Sequence, residues 1–149
     1  MEPLEFSSKQ NAFLSNFYPA PFTLNGKTWP TVEHWFQAQK FPTDPEYQET
    51  IRGLATPAAA KRLGRTRSRP LRPDWEQVKE EIMVAGLAAK FTQNSTVRAA
   101  LLATGERPLI EKAHWDSYWG SGPRGHGKNR MGALLVALRT RLATSAATP

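Results

Sequence analysis

The chain has 149 residues and a net charge of +7, which is long enough for one domain with a hydrophobic core and predicts an anionic partner. It has no cysteine, and its three histidines (His34, His114 and His126) lack the spacing of a metal site, so we expect no disulfide, metal or other cofactor. The N-terminus lacks the features of a secretion signal and no apolar run could span a bilayer, so the expected location is the cytoplasm, without membrane contact.

The first half of the chain predicts a strand, a hairpin and three helices. Leu4–Ser7 has the composition of a strand, and Asn25-Gly26 between two β-prone arms predicts a tight hairpin over Phe22–Trp29. The helices are delimited by Thr, Pro and Gly at their ends. They are expected after Thr31 as far as Phe41, over Glu46–Arg52, and from Pro57 to Gly64.

The second half predicts three more helices and one strand. A long helix over residues 75–91 is expected after Asp74 as N-cap, with Trp75, Val78, Ile82 and Ala89 on its buried side. A helix from Ser95 to Leu102 and a strand over residues 108–113 follow. Met131, Leu134, Leu135, Leu138 and Leu142 form the apolar stripe of a last helix. The predicted fold class is therefore α+β, a single mainly helical domain of residues 1–143 around a small β-sheet, with a disordered tail at 144–149.

Half of the ten glycines lie in one short segment that begins after Asp116 and Trp119. They are Gly120, Gly122, Gly125, Gly127 and Gly132. Because glycine lets the backbone approach a ligand and a helix begins just afterwards, this segment predicts a phosphate-binding loop that includes Lys128. The alternative is a glycine-rich loop without a ligand.

Two well-known glycine patterns overlap in this segment, and neither has the context it needs. Gly120-x-Gly122-x-x-Gly125 matches the dinucleotide pattern, but only one helix follows and no βαβ unit can form. In a Walker A loop a hydroxyl would stand at Asn129, where this chain has an amide. We therefore do not predict a Rossmann fold or an NTPase.

A second feature is a basic segment between Glu49 and Asp74 that contains no acidic residue. Such a segment either contacts the phosphates of DNA or is simply a solvated basic loop. No aromatic residue interleaves it, so stacking of single-stranded bases is not predicted there. The predicted DNA contacts are Arg62, Arg65, Arg67, Arg69 and Arg72.

Four segments taken together resemble one family. They are Phe13–Pro19, Val32–Phe41, Asp74-Trp75-x-x-x-Lys79-x-x-x-Met83 and Asp116-x-x-Trp119-Gly120-x-Gly122. In this order the motifs resemble the NADAR (YbiA-like) family of N-glycosidases, and they extend over nearly the whole chain. The resemblance implies hydrolysis of a ribose–nitrogen bond without metal at a site for ADP-ribose or a ribosylamine. By motif it also implies that Glu33, Trp75 and Asp116 are active-site residues.

The chemistry of such a reaction agrees with these residue types. Cleavage creates positive charge at C1′ of the ribose, which carboxylates stabilise while they move protons. Glu33 could instead be an ordinary acid of a first helical turn, Asp116 a turn-forming residue and Trp75 a core residue. Lys40 and Lys79 are either surface lysines or, if buried, amine nucleophiles that form a Schiff base with C1′.

Further residues are expected to bind the substrate rather than to react. Phe17 and Trp119 could stack on a base, and Asn16 and Asn129 could hydrogen-bond to sugar hydroxyls. The favoured hypothesis is an N-glycosidase that removes ADP-ribose from guanine in DNA and so reverses the action of a toxin ADP-ribosyltransferase. The alternatives are an N-glycosidase of riboflavin-pathway ribosylamines, a non-catalytic reader of ADP-ribose, and a plain nucleic-acid-binding module.

Overall fold

The computed structural model describes residues 1–147, which form helices and two small sheets, so the predicted α+β class is confirmed. The chain, expected to be one domain over residues 1–143, divides into two compact units. The central unit is Pro19–Asn94, and the terminal unit combines Met1–Tyr18 with the chain from Ser95 onward. In chain order the elements are β1 (Leu4–Phe6), a 3-10 helix (Ala12–Leu14), β2 (Phe22–Leu24), β3 (Lys27–Trp29), α1 (Val32–Ala38), α2 (Pro45–Arg52), α3 (Pro57–Gly64), α4 (Trp75–Gln93), α5 (Ser95–Ala103), β4 (Leu109–Glu111) and α6 (Arg130–Ala147).

The central unit is built around α1, all seven residues of which are buried. This helix packs against α2, α3 and α4, which accounts for its lack of an exposed face. The side chain of Thr31 caps it by accepting a hydrogen bond from the backbone N–H of His34 at 3.2 Å. At the other end the helix stops at Ala38, three residues before the predicted end at Phe41.

The predicted hairpin of the central unit is confirmed. Asn25 and Gly26 both have positive φ, as the tight turn requires, and Phe22 pairs with Trp29. Asp74 is the N-cap residue of α4, as predicted, but its side chain makes no capping hydrogen bond. Its carboxylate pairs instead with the guanidinium of Arg72 at 2.7 Å, because a charged partner was available two residues away.

The terminal unit contains the parallel pair β1–β4, whose buried face carries Phe6 and Leu109. The last helix, α6, packs against β4, and the predicted apolar stripe is confirmed except that Leu134 is only half-buried. The predicted tail begins inside this helix, since the structure describes residues 144–147 as its last turn. Residues 148 and 149 lie outside the described residues.

None of the helices of residues 1–147 is both long enough and apolar enough to cross a bilayer.

Candidate functional site

The carboxyl group of Glu33 is buried in the first turn of α1. The side-chain amide of Gln37, one turn later, donates a hydrogen bond to Glu33 Oε1 at 3.3 Å. Burial raises the pKa of Glu33, while this hydrogen bond and the positive charges of Lys61, Lys40 and Arg65 act in the opposite direction. An acid held in this way can carry a proton closer to neutral pH than an exposed glutamate does.

The amine of Lys40 belongs to the same group of residues. Its Nζ donates to the carbonyl of Gly64 at 3.4 Å and lies 5.6 Å from the centre of the Trp75 ring. Burial lowers the pKa of Lys40, the charge of Glu33 raises it, and the charges of Arg65 and Lys61 lower it further. The structure therefore brings three of the predicted residues together, and we call Glu33, Lys40 and Trp75 the carboxylate–amine site.

Trp75 forms an aromatic wall of this site. It is buried at the start of α4, and its ring contacts that of Phe36 at 4.9 Å between centroids with a 59° tilt. Because the ammonium of Lys40 lies over the same ring system, a cation–π contact helps to position the amine. The tryptophan is thus a core residue and a contact of Lys40 at once.

The approach of α3 to α1 depends on Gly64. A Cβ at this position would overlap the side chain of Gln37, so only glycine allows the two helices to come this close. Lys61 and Arg65 lie one turn apart beside Gly64, and their positive charges therefore lower the pKa of the Glu33 carboxyl.

Gln37 and Lys61 were not predicted as site residues from the sequence, and Arg65 was predicted to contact DNA. Gln37 could have been found from its spacing, because a residue four positions after Glu33 lies on the same face of a helix. Nothing local to residues 61–65 indicated their position next to α1. Among residues 1–147, no group hydrogen-bonds to the buried Oε1 of Gln37.

Lys79, the second predicted amine, has a different environment. Its Nζ pairs with Glu76 Oε1 on the preceding turn of α4 at 2.6 Å. A nucleophilic role for Lys79 stays a prediction.

Asp116 lies in the terminal unit and shapes the turn that follows it. Its Oδ1 accepts hydrogen bonds from the backbone N–H groups of Tyr118 and Trp119, each at 2.9 Å. This is the turn-forming arrangement that the sequence analysis left open as an alternative. A catalytic role for Asp116 stays a prediction.

Several amides of the glycine-rich loop, which was predicted to hold a phosphate, donate to backbone carbonyls. The amide of Gly122 donates to Ala113 O at 3.2 Å, and that of Gly127 donates to Ser121 O at 2.7 Å. The amides that open α6, from Lys128 to Met131, donate to the carbonyls of residues 117–120. These amides already have backbone acceptors, and binding of a pyrophosphate by the loop stays a prediction.

Asn129 was predicted to bind a sugar hydroxyl, and the structure uses its side chain otherwise. Its Nδ2 donates to Leu109 O at 2.8 Å, and its Oδ1 accepts from the N–H of Glu111 at 3.0 Å. Both atoms of the amide therefore bond to the backbone of β4 and hold the start of α6 against it.

The other predicted binding residues of the terminal unit occupy varied environments. Asn16 is buried, with its Nδ2 3.9 Å from Met131 Sδ, and Phe17 is half-buried. Trp119 is half-buried with its ring edge-on to Tyr118. Lys128 and Gly125 are exposed, whereas Gly120 is buried against Ala113. Their contacts with a substrate stay predictions.

The arginines predicted to contact DNA divide into two groups. Arg69 pairs with Asp44 at 2.6 Å and stacks over the Tyr47 ring, and Arg72 pairs with Asp74. Arg62, Arg65 and Arg67 are exposed. Ion pairing weakens the first two as phosphate contacts, because a phosphate would have to replace an existing carboxylate.

Comparison with known proteins places these observations in a family. The family model described as the NADAR domain matches residues 5–143. The N-glycosidase YbiA of Escherichia coli (strain K12) is 54% identical over 129 residues, which cover 87% of this chain and 80% of that protein. The NMR structure of E. coli YbiA superposes with a TM-score of 0.90 at 47% identity, over 99% of this chain and 89% of that one.

A third relative is the riboflavin biosynthesis protein VVA0006 of Vibrio vulnificus (strain YJ016), 39% identical over 143 residues. The match covers 95% of this chain but 39% of that protein, so this chain corresponds to one part of it. These findings confirm the resemblance inferred from the motifs. They also confirm, at the level of the family, the expected enzyme class of hydrolases that act on N-glycosyl bonds.

Proposed function

Since the chain belongs to the NADAR domain family, we propose that it hydrolyses a ribose–nitrogen bond at the carboxylate–amine site. The observation that carries the proposal is the burial of the Glu33 carboxyl beside the half-buried amine of Lys40 and an aromatic wall. Opposing shifts in the pKa values of an acid and a base at one place are typical of sites that transfer protons.

In this reaction Glu33 donates a proton to the leaving nitrogen as the bond from C1′ to nitrogen breaks. Its raised pKa increases the fraction of the protonated acid near neutral pH. The positive charge that develops at C1′ is then neutralised by a nucleophile.

Two nucleophiles fit this arrangement. In the first route a water attacks C1′, and the carboxylate left on Glu33 takes a proton from it. In the second route the neutral amine of Lys40 attacks C1′, and the carboxylate left on Glu33 takes a proton from the resulting ammonium. Return of this proton to the ring oxygen opens the ribose to a protonated Schiff base, which water later hydrolyses. The lowered pKa of Lys40 increases the fraction of neutral amine and supports the second route. Asp116 is the second acid that we propose for the reaction.

For the substrate we propose ADP-ribose attached to guanine in DNA, so that the chain reverses the product of a toxin ADP-ribosyltransferase. The net charge of +7 and the exposed Arg62 and Arg67 support a DNA substrate. A second candidate is a ribosylamine of riboflavin biosynthesis, which is supported by the relative of that name that matches 95% of this chain. A reader of ADP-ribose without turnover fits less well, because binding alone does not need a buried acid next to an amine.

The test is incubation of the purified protein with an ADP-ribosylated oligonucleotide and, separately, with riboflavin-pathway ribosylamines, followed by mass spectrometry of the released sugar and base. Release of free ADP-ribose with intact guanine supports the DNA substrate, and release from the ribosylamine alone supports the second candidate. A Glu33→Gln variant that releases sugar at the wild-type rate would exclude the carboxylate–amine site as the place of reaction.

A further inference from the structure

Arg72 lies in the connector between α3 and α4, and each nitrogen of its guanidinium donates a hydrogen bond within the central unit. Nε and Nη2 donate to the two carboxylate oxygens of Asp74, at 2.7 Å and 3.1 Å, and Nη1 donates to the carbonyl of Gln39 at 3.2 Å. Because the bidentate pair fixes the plane of the guanidinium, it also aims Nη1 at the third acceptor. The side chain is only 21% exposed, so it is part of the packed structure.

The backbone of Arg72 joins the two elements that carry the amine and the aromatic ring of the carboxylate–amine site. Its N–H donates to the carbonyl of Lys40 at 3.1 Å, and its carbonyl accepts from the N–H of Trp75 at 3.3 Å. Since Nη1 holds the carbonyl of Gln39, both peptide groups that flank the Cα of Lys40 are bonded to this one residue. Arg72 therefore ties the turn after α1 to the start of α4.

This tie determines where the amine of Lys40 lies relative to a ring on another element. A lysine amine ends a flexible four-carbon chain, so its position depends on how its backbone is held. Nζ of Lys40 lies 5.6 Å from the centre of the Trp75 ring and donates to the carbonyl of Gly64 at 3.4 Å. A connector that moved away from α1 would change the distance from amine to ring, although neither residue had been altered.

We propose that Arg72 is a positioning residue of the carboxylate–amine site, where it holds the amine of Lys40 over the ring of Trp75. The catalytic consequence rests on the proposed function, whereas the geometry is independent of it. Contact with DNA, the role predicted for Arg72 from the sequence, does not require bonds to the carbonyls on both sides of Lys40. Asp74 acts at one remove, because it fixes the guanidinium and does not touch the amine.

Competitive labelling of amines with acetic anhydride over a range of pH, followed by peptide mass spectrometry, tests this geometry without an assay of hydrolysis. Burial lowers the pKa of Lys40. The charged groups that also act on this pKa are Glu33 on α1 and Lys61 and Arg65 on and just after α3. Arg72→Ala should raise the labelling midpoint of Lys40 towards that of the exposed Lys9, because the amine loses its partly buried place.

Arg72→Lys separates position from charge. It keeps the positive charge and the backbone bonds but loses the planar fork that reaches Gln39, so the midpoint of Lys40 should rise by a smaller amount. A wild-type midpoint in Arg72→Lys would assign any shift in Arg72→Ala to charge and would overturn the proposal, as would an unchanged midpoint in Arg72→Ala. Arg141→Ala, at an exposed position of α6, should leave the midpoint unchanged.

Asp74→Asn covers the case in which Arg72→Ala does not fold. An asparagine keeps an acceptor at the N-cap but removes the charge that holds the guanidinium, so the midpoint of Lys40 should again rise. No shift in this variant would contradict the proposed role of the Arg72 guanidinium.

Turnover gives the second measurement. Arg72→Ala should lower kcat about 10- to 100-fold with little change in KM, because misplacing a reacting group by about 1 Å costs as much as about 10² in rate. A raised KM at wild-type kcat would indicate a substrate contact and would overturn the positioning role. If the wild-type protein hydrolyses neither substrate, the proposed function fails, while the labelling profiles still decide whether Arg72 positions Lys40.

Discussion

The backbone of Gly64 packs directly against the side chain of Gln37, and no side chain fits between them. This contact sets the distance between α3 and α1 and so determines that Lys61 and Arg65 act on the carboxyl of Glu33. The electrostatics of the candidate site thus depend on one small residue that itself has no functional group.

Gly64→Ala is expected to destabilise the protein by about 1–3 kcal/mol, the usual cost of forcing a group into a packed interface. The measurement is urea unfolding of wild type and variant. In the double variant Gly64→Ala/Gln37→Ala the space vacated by Gln37 should accept the new methyl group. The contact would be contradicted if the double variant lost as much free energy of unfolding as the two single variants together.

Glu33→Gln should lower turnover by about 10²–10⁴, the range for a positioned acid or base, while substrate binding is largely retained. Glu46→Gln is the matched control, because Glu46 also lies in the first turn of a helix but is exposed. We expect the control to keep wild-type rates.

The pH dependence of stability gives an independent check on Glu33. Burial raises its pKa in the folded state, so stability is lost as pH rises from the unfolded pKa, about 4.3, through the folded value. Glu33→Gln should remove this decrease in the free energy of unfolding. An unchanged pH profile would show that the carboxyl titrates normally.

Asp116→Asn separates the turn-forming role of Asp116 from catalysis. The amide oxygen of asparagine can still accept the hydrogen bonds from Tyr118 and Trp119, so the melting temperature should change little. Removal of charge and basicity should nonetheless lower turnover by about 10²–10⁴. Wild-type turnover in Asp116→Asn would show that Asp116 forms the turn and takes no part in catalysis.

Borohydride trapping distinguishes the two nucleophiles. If an amine attacks C1′, reduction during turnover should attach the sugar to Lys40, which is half-buried near Glu33, and not to Lys79, which pairs with Glu76. Peptide mass spectrometry would locate the adduct, with Lys79→Gln as the variant that should still trap. Absence of any adduct, together with an inactive Glu33→Gln, would leave direct attack by water.

Lys90 should make stability increase with pH. It is fully buried in α4, and burial lowers its pKa to about 7, compared with about 10.4 in an unfolded chain. The unfolded state therefore binds more protons between these values, and stability rises as pH increases from about 7 to about 10. Lys90→Met should raise the melting temperature at pH 6 and flatten this rise. Lys9→Met, at an exposed position, should do neither.

Much of the secondary structure could be predicted because its signals are local. Asn25-Gly26 specifies its turn by backbone preference alone, and Thr31 caps α1 through an atom three residues away. The apolar stripe of α6 follows from helical periodicity. The order of the motifs also identified the family, and the resemblance implied Glu33, Trp75 and Asp116 as site residues, whose catalytic roles stay predictions.

Tertiary structure decided what each polar group contacts, because those partners are distant in sequence. The sequence predicts a ligand-binding role for Asn129. In the fold, both polar atoms of its side-chain amide hydrogen-bond to the backbone of β4, about twenty residues earlier. The composition of the glycine-rich loop predicts an anion site, whereas the fold determines that several of its amides donate to the carbonyls of residues 111–121. Arg65 joins the surroundings of Glu33 only because α3 packs on α1 at Gly64. Local composition determines which elements form, whereas the requirement that buried polar groups find partners is met by the packing of the whole chain.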